Sequence, residues 1–446
     1  MHNDNPEQAN NHLVPVIPST LFGIKFGIGI GIGLAIIWLP IISIGYALVD
    51  NDSLQQRSHT FESNAVAAST ADEPPQNYLP KTPLGKPSPA FSSKLKFGHN
   101  HTVSQQLEIP SDYRIYKIST AETLLTTLDT LPKSQQKVAF VMTKGIYRFT
   151  KTIRITQDNI WLVSETANPN DVIFAGRGMR SSAKVNNLIY VSGKHFKLAG
   201  ITLKQASNHL IQIAGEKDAD YPIIENCILQ DSYEQMIKVS YDKRNKPNIA
   251  SDKGLIQNCL FEYTEGVGPN YYIGGIDIHG GEDWQILNNS FKNIASPRKH
   301  IAEHAIHFWN NTKNPSIIGN YIKNCDRGIG LGMLKHSIER NQAQNIKYSN
   351  LGGVIKQNYV YHDNNDHPFA DTGIILEDSA QTLIEGNYIY LAHSYPRAIE
   401  YRYPSTTDVK IINNVTNKTI SSRDGGQAML ENNRVMLNRA SYPKID

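Results

Sequence analysis

Cysteine is scarce. The 446-residue chain has three, Cys227, Cys259 and Cys325, and no C-x-x-C pair. That excludes a disulfide-built scaffold and a thiolate metal or redox motif. Charge of either sign is modest too. Charged residues are 19% and the formal net charge is +3, so electrostatics argue for no nucleic-acid partner. The first 20 residues contain no Lys or Arg. The alternating glycines Gly27, Gly29, Gly31 and Gly33 are followed by no Gly-Lys-Ser/Thr, which excludes a phosphate loop.

One long uncharged apolar run is present. Phe26–Val49 has 24 residues without a charge, with Lys25 before it and Asp50 and Asp52 after. A helix of that length spans a bilayer core of ~30 Å. The flanks put the N-terminus on the cytoplasmic side. The expectation is a cytoplasmic tail over 1–20 and a single-pass transmembrane signal anchor over 21–49. The anchor would sit in the inner membrane, with the remainder periplasmic or extracellular. A cleaved signal peptide is the alternative, but its apolar core would be too long. Gly23, Gly27 and Gly31 have the small-xxx-small spacing that pairs helices, although tolerance of Gly in lipid explains them as well. Residues 50–110 are Ser-, Asn- and Pro-rich and read as a semi-extended tether. Residues 111–446 are the folded domain.

That domain repeats a short unit, I-x-x-N-x-[apolar]. Its Asn falls at Asn226, Asn258, Asn289, Asn320, Asn358, Asn387, Asn414 and Asn433, at spacings of 32, 31, 31, 38, 29, 27 and 19. An apolar residue stands three before each, from Ile223 and Leu255 to Leu430. Periods of this length mean stacked repeats. The units are too strand-rich for helical repeats and fit one coil of a parallel β-helix each. Asn suits the turn because it tolerates left-handed backbone and bonds to neighbouring main chain. Cys227 and Cys259 each follow a repeat Asn, so they should stack ~4.8 Å apart. Parallel Cβ vectors are poor disulfide geometry, which favours two buried thiols. Ser119-Thr120-Ala121-Glu122 reads as a capping box opening a helix over roughly Ala121–Leu131. That helix is suited to covering the open end of the solenoid. Strands are expected at Val138–Met142, Gly145–Phe149, Thr152–Ile155, Ile160–Ser164 and Val172–Ala175.

The capping helix, the segment GIYRFTKTIRI and the N-x-[apolar] ladder resemble the pectate-lyase-like right-handed parallel β-helix superfamily over residues ~115–440. GIDIHGGEDWQILNNSF, HAIHFWNN, NCDRGIGLG and AIEYRYPSTTDVKIINNV are similar to segments of bacterial right-handed β-helix repeat proteins. The resemblance implies an all-β fold, a right-handed parallel β-helix of nine to eleven coils. It is weak for activity, because that fold hosts lyases, epimerases, hydrolases, esterases and binding proteins.

Each coil also carries a G-I-x-[apolar] strand. Aligned on Ile237, Ile276, Ile306, Ile329, Ile374 and Ile399, the outward positions form two columns by the period-2 rule. One reads Lys238, Asp277, His307, Gly330, Ile375, Glu400, and the other Ser240, His279, Trp309, Gly332, Glu377, Arg402. Asp277, His279, His307 and Trp309 then make a compact patch. Gly330 and Gly332 leave bare backbone beside it, and Glu377, Glu400 and Arg402 lie beyond. Insertions over 261–274, 292–303 and 361–372 would wall this face. With His304 directly after the second, they bring Tyr271, Tyr272, His300, Glu303 and Asp371, and loops of this kind carry function.

Proton abstraction next to a uronate carboxyl needs a base and a cation to hold the enediolate. His307 oriented by Asp277 is one candidate base and His279 another. Arg402, Lys238 or a bound Ca²⁺ would supply the cation, and Trp309, Tyr271, Tyr272, Glu377 and Glu400 would line the substrate. A metal held by Asp277, His279 and His307 is a further option. Glu377 and Glu400, ~8 Å apart by strand spacing, have the separation of an inverting glycosidase pair. A non-catalytic carbohydrate-binding or envelope scaffold fits the same face. The expected partner in each case is a polysaccharide, joined to a membrane through one N-terminal helix.

Overall fold

The computed structural model describes residues 108–132, 134, 137–180, 185–297, 300–333, 348–363 and 370–443, with Gly98. The expected tail, membrane anchor and most of the tether lie outside the described residues. Among those described, no helix is long and apolar enough to cross a membrane.

Short apolar strands alternate with tight turns, and every strand pairs in parallel with its counterpart one repeat away. Three large sheets of 12, 11 and 10 strands result, with a fourth of three two-residue strands, Thr312–Lys313, Asn350–Leu351 and Ser379–Ala380. Each coil visits the large sheets in a fixed order, as in Ile223–Glu225, Ile228–Ser232 and Ile237–Ser240, followed by Leu255–Gln257 of the next coil. The ten strands of the third sheet mark ten complete coils. Parallel crossovers of this kind are right-handed, so the domain is a right-handed parallel β-helix. The helix Ala121–Thr130 precedes the first complete coil and buries Leu124 against the core. Its N-cap is Thr120, whose Oγ1 accepts from the Thr123 N–H at 3.1 Å. The cap therefore starts one residue later than the capping-box reading placed it.

The core is a stack of inward residues. In the first sheet, Ile224, Ile256, Ile286, Ile317, Ile355, Ile384 and Ile411 occupy one column, all fully buried. Two residues past each strand, the chain turns into the second sheet. The turn has two separate tasks. Its first residue takes a positive φ, at Asn226, Asn258, Asn288, Gly319, Gln357, Gly386, Asn413 and Asn432. Its second residue forms the ladder, at Cys227, Cys259, Asn289, Asn320, Asn358, Asn387, Asn414 and Asn433. This corrects the sequence register by one residue in two coils: Ile223 pairs with Leu255, and Leu255 with Gln285 rather than Ile286, so Asn226 and Asn258 sit in the left-handed column. The cause is local, because Asn serves either task and Asn-Cys replaces the usual pair.

Each ladder Asn bridges coils. Asn358 Oδ1 accepts from the Asn320 N–H and its Nδ2 at 2.9 Å, while Asn358 Nδ2 donates to Ile317 O at 2.9 Å and Asn387 Oδ1 at 3.0 Å. The column ends at Asn289, which accepts from the Cys259 N–H at 2.9 Å. Cys227 and Cys259 are buried and unbonded to one another, as parallel stacking requires. Cys259 Sγ already approaches Ile224 O at 3.6 Å, where a ladder Asn would place its Nδ2. Cys259→Asn is therefore expected to fold with stability within about 1 kcal/mol of the parent or better, since one gained buried hydrogen bond is of that size. Denaturant unfolding checks this.

Candidate functional site

The third sheet carries the site, and its register matches the two columns read from the sequence. Lys238 pairs with Asp277, Asp277 with His307, and His307 with Gly330. Gly330 pairs with Ile375 and Ile375 with Glu400, while Gly332 pairs with Glu377 and Glu377 with Arg402. Inward Ile237, Ile276, Ile306, Ile329, Ile374 and Ile399 are fully buried and hold the strands flat.

The outward face is less open than a bare groove. Asp277, His279 and His307 are only 7–8% exposed, the Lys238 side chain only 13%, and Trp309 is half-buried. The ring of Tyr241 lies where a Cβ on Gly280 would meet it at 2.6 Å, so the loop after Ser240 packs onto this edge. Lys238 Nζ sits 2.6 Å from Asp277 Oδ2 and 2.9 Å from His279 Nε2. An ammonium only donates, so Nε2 accepts from it and carries no proton. The 3.3 Å approach of that nitrogen to Asp277 Oδ2 is then a contact through Lys238 rather than a second hydrogen bond. Burial alone would raise the Asp277 carboxyl, but the Lys238 ammonium beside it holds it well below the ordinary carboxylate range. Trp309 closes the group: its ring meets His279 edge-on at 4.3 Å and lies 5.6 Å from Lys238 Nζ.

His307 stands differently from its sequence reading. Asp277 is its register neighbour, but the hydrogen bonds of Asp277 run to Lys238 and its histidine contact is His279. His307 Nε2 lies 3.3 Å from Gly332 O, and its ring is 4.4 Å from that of His304. Nor is Gly330 bare. A Cβ there would meet His304 Nε2 at 2.8 Å, so the missing side chain makes room for an imidazole. Period-2 alternation sends His304 to the face of Ile306, and its ring lies beside His307 instead. Glu303 and His304 entered the sequence reading only as loop residues. The signal that could have found them is Glu-His-x-x-His set opposite a glycine.

The remaining residues form a second group. Arg402 pairs with Glu377, with Glu400 at 3.6 Å and with Asp424 at 2.7 Å. Glu400 is fully buried, with Arg423 Nη1 2.9 Å away and the Tyr395 hydroxyl bonded to it. Both carboxylates of the inverting-pair reading are therefore tied to Arg402, and Arg402 is itself neutralised. Tyr271 is exposed and pairs with His300 at 5.0 Å. Tyr272 is half-buried, its N–H donating to Asn270 Oδ1.

His209 lies close to the Lys238 group and is 7% exposed. Its Nδ1 is 2.8 Å from Gln235 O. Burial, with Lys238 nearby, pushes the ring down to about 4, although Glu234 at 3.4 Å favours the charged form. An unfolded His titrates near 6.5, so the unfolded chain takes the proton first. Stability from this group is complete above about pH 6.5 and falls as pH drops toward 4, by up to about 3 kcal/mol. We expect urea unfolding to show this loss between about pH 7 and about pH 4.5, and His209→Gln to remove that part of it.

No protein-family model and no curated protein matches the sequence. Solved structures do. An alginate lyase from Paenibacillus sp. str. FPU-7 is 13% identical, with a TM-score of 0.47 over 72% of this chain and 99% of that one. PfbA, a surface adhesin of Streptococcus pneumoniae, is 12% identical at 0.48, over 71% and 87%. The periplasmic alginate epimerase AlgG is 12% identical at 0.41, over 72% and 83%. These are likenesses of fold alone, and the chain's own stacked coils are those of a parallel β-helix.

Proposed function

We propose that this chain acts on an acidic, uronate-containing polysaccharide, by β-elimination or C5 epimerisation, at the Lys238–Asp277–His279–Trp309 group. The observation that carries the reading is one ammonium shared between a carboxylate and an unprotonated imidazole on a flat β-helix face. A substrate carboxylate arriving at Lys238 would take the place of His279 on the ammonium. That releases the Nε2 lone pair to remove the α-proton, while Lys238 stabilises the enediolate that forms. In elimination the C4–O bond then breaks as the C4=C5 bond forms, and the leaving oxygen takes a proton from water. In epimerisation water returns a proton to C5 on the opposite face. Asp277 stays hydrogen-bonded to Lys238 Nζ throughout. Half-buried Trp309 offers an apolar face for a sugar ring. The expected N-terminal anchor, 21–49, would hold this domain on the periplasmic or outer side of the membrane.

A second reading, a non-catalytic carbohydrate-binding or envelope scaffold, is favoured by the 7–8% exposure of Asp277, His279 and His307. The test uses the full chain in detergent, with and without Ca²⁺, against a panel of uronate polysaccharides. An unsaturated product seen by ultraviolet absorbance, lost in His279→Gln, establishes elimination. A changed polymer NMR spectrum without that product establishes epimerisation. Binding without either change supports the scaffold and ends the catalytic reading.

A further inference from the structure

Beside the Lys238 group lies a second set of side chains that the proposed chemistry does not use. Glu303, His304 and His307 each offer one ligand atom, and the three atoms lie within 4.8 Å of one another. Glu303 and His304 adjoin, and His304 and His307 lie on one strand, His304–Phe308.

His304 is the informative member. It is 5% exposed, and neither ring nitrogen has a hydrogen-bond partner. A buried imidazole left so is destabilising by its lost hydration. The fold nonetheless makes room for it, since any side chain at position 330 would collide with the ring. His307 is set for the complementary task. With Nε2 donating to Gly332 O, a neutral ring has its lone pair on Nδ1, and a second bond to backbone is what orients a metal-bound histidine. Glu303 faces Arg327 at 3.9 Å, but Arg327 also pairs with Asp371 at 3.2 Å. Glu303 could turn to a cation without leaving that guanidinium unpaired.

We infer that Glu303, His304 and His307 form a binding site for a first-row divalent transition metal, Zn²⁺ by donor set. Two imidazoles and one carboxylate suit Zn²⁺ and leave a coordination position open. Ca²⁺ prefers oxygen ligands throughout. Donors around one tetrahedral Zn²⁺ lie about 3.3 Å apart, so the three side chains would close by up to about 1.5 Å. Strand pairing places this site one coil from Asp277, yet the inference does not rest on the polysaccharide reading.

The test is Zn²⁺ titration of the chelator-treated full chain by calorimetry, with Ca²⁺ in parallel. One Zn²⁺ per chain should bind at this site with a Kd of about 1 µM or tighter, and Ca²⁺ should not compete. Loss of a group that only hydrogen-bonds a ligand already weakens metal affinity 10–100-fold, so Glu303→Gln, His304→Gln and His307→Gln should each weaken it by about 100-fold or more. Glu303 is only half-buried, so Glu303→Gln keeps the test valid if the histidine variants misfold. A Co²⁺ visible spectrum that Glu303→Gln alters gives a readout independent of turnover. No binding by folded protein, or binding unmoved by Glu303→Gln and His304→Gln, would overturn the inference and leave the space beside His304 to water. Uronate turnover by Glu303→Gln separates this result from the fate of the Lys238 reading.

Discussion

Asn358→Ala should destabilise the β-helix by about 4 kcal/mol, among the largest effects of any single truncation in the domain. The side chain is fully buried and makes four hydrogen bonds across three coils. Alanine leaves the Asn320 N–H buried without a partner, worth about 1–3 kcal/mol, and takes one hydrogen bond each from Asn320 Nδ2, the Ile317 carbonyl and Asn387 Oδ1, worth about 1 kcal/mol apiece. Water cannot repair the loss, because the turn is packed against its neighbours above and below. Asn433 sits at the half-buried end of the same ladder, so Asn433→Ala should lose only about 1 kcal/mol. Urea unfolding of the two variants checks the contrast. Equal losses would mean that the ladder acts as a global fastener rather than through nearest neighbours.

The second large effect concerns the charge at the centre of the site. Lys238→Met removes the ammonium that Asp277 and His279 share. It strands a carboxylate that is 7% exposed, at a loss of about 3–5 kcal/mol. Adding Asp277→Leu removes the stranded charge as well, and the double variant should recover most of that stability. It should not recover turnover of a uronate polymer, because no cation then faces the enediolate. A double variant that is as active as the parent would show the ion pair to be structural only. Unfolding curves and turnover, measured on the same three proteins, separate the two roles.

The distribution of what was legible follows from the physics. The site columns were read correctly because Gly-Ile-x-apolar strands alternate strictly, and a one-residue slip would expose every Ile from 237 to 399. The ladder slipped in two coils because Asn226 and Asn258 satisfy the same local rule as ladder Asn while performing the neighbouring task. The closeness of the face was not legible, since burial of Asp277 and His279 depends on packing from other segments, such as Tyr241 against Gly280. Arg402 looked available and is neutralised by Glu377, Glu400 and Asp424, partners contributed by three different strands or turns. His304 was missed because its ring leaves the face that alternation assigns to it.

The most direct test of the catalytic proposal is the exchange of uronate C5 hydrogen with solvent. The full chain would be incubated with a uronate polysaccharide in deuterium oxide, and deuterium at C5 of polymer and products followed by NMR, beside Lys238→Met and His279→Gln. Deuterium at C5, or elimination with loss of that hydrogen, is expected in the parent and neither in the two variants. Retained C5 hydrogen in the presence of bound polymer, or label incorporated equally by His279→Gln, would contradict the proposal.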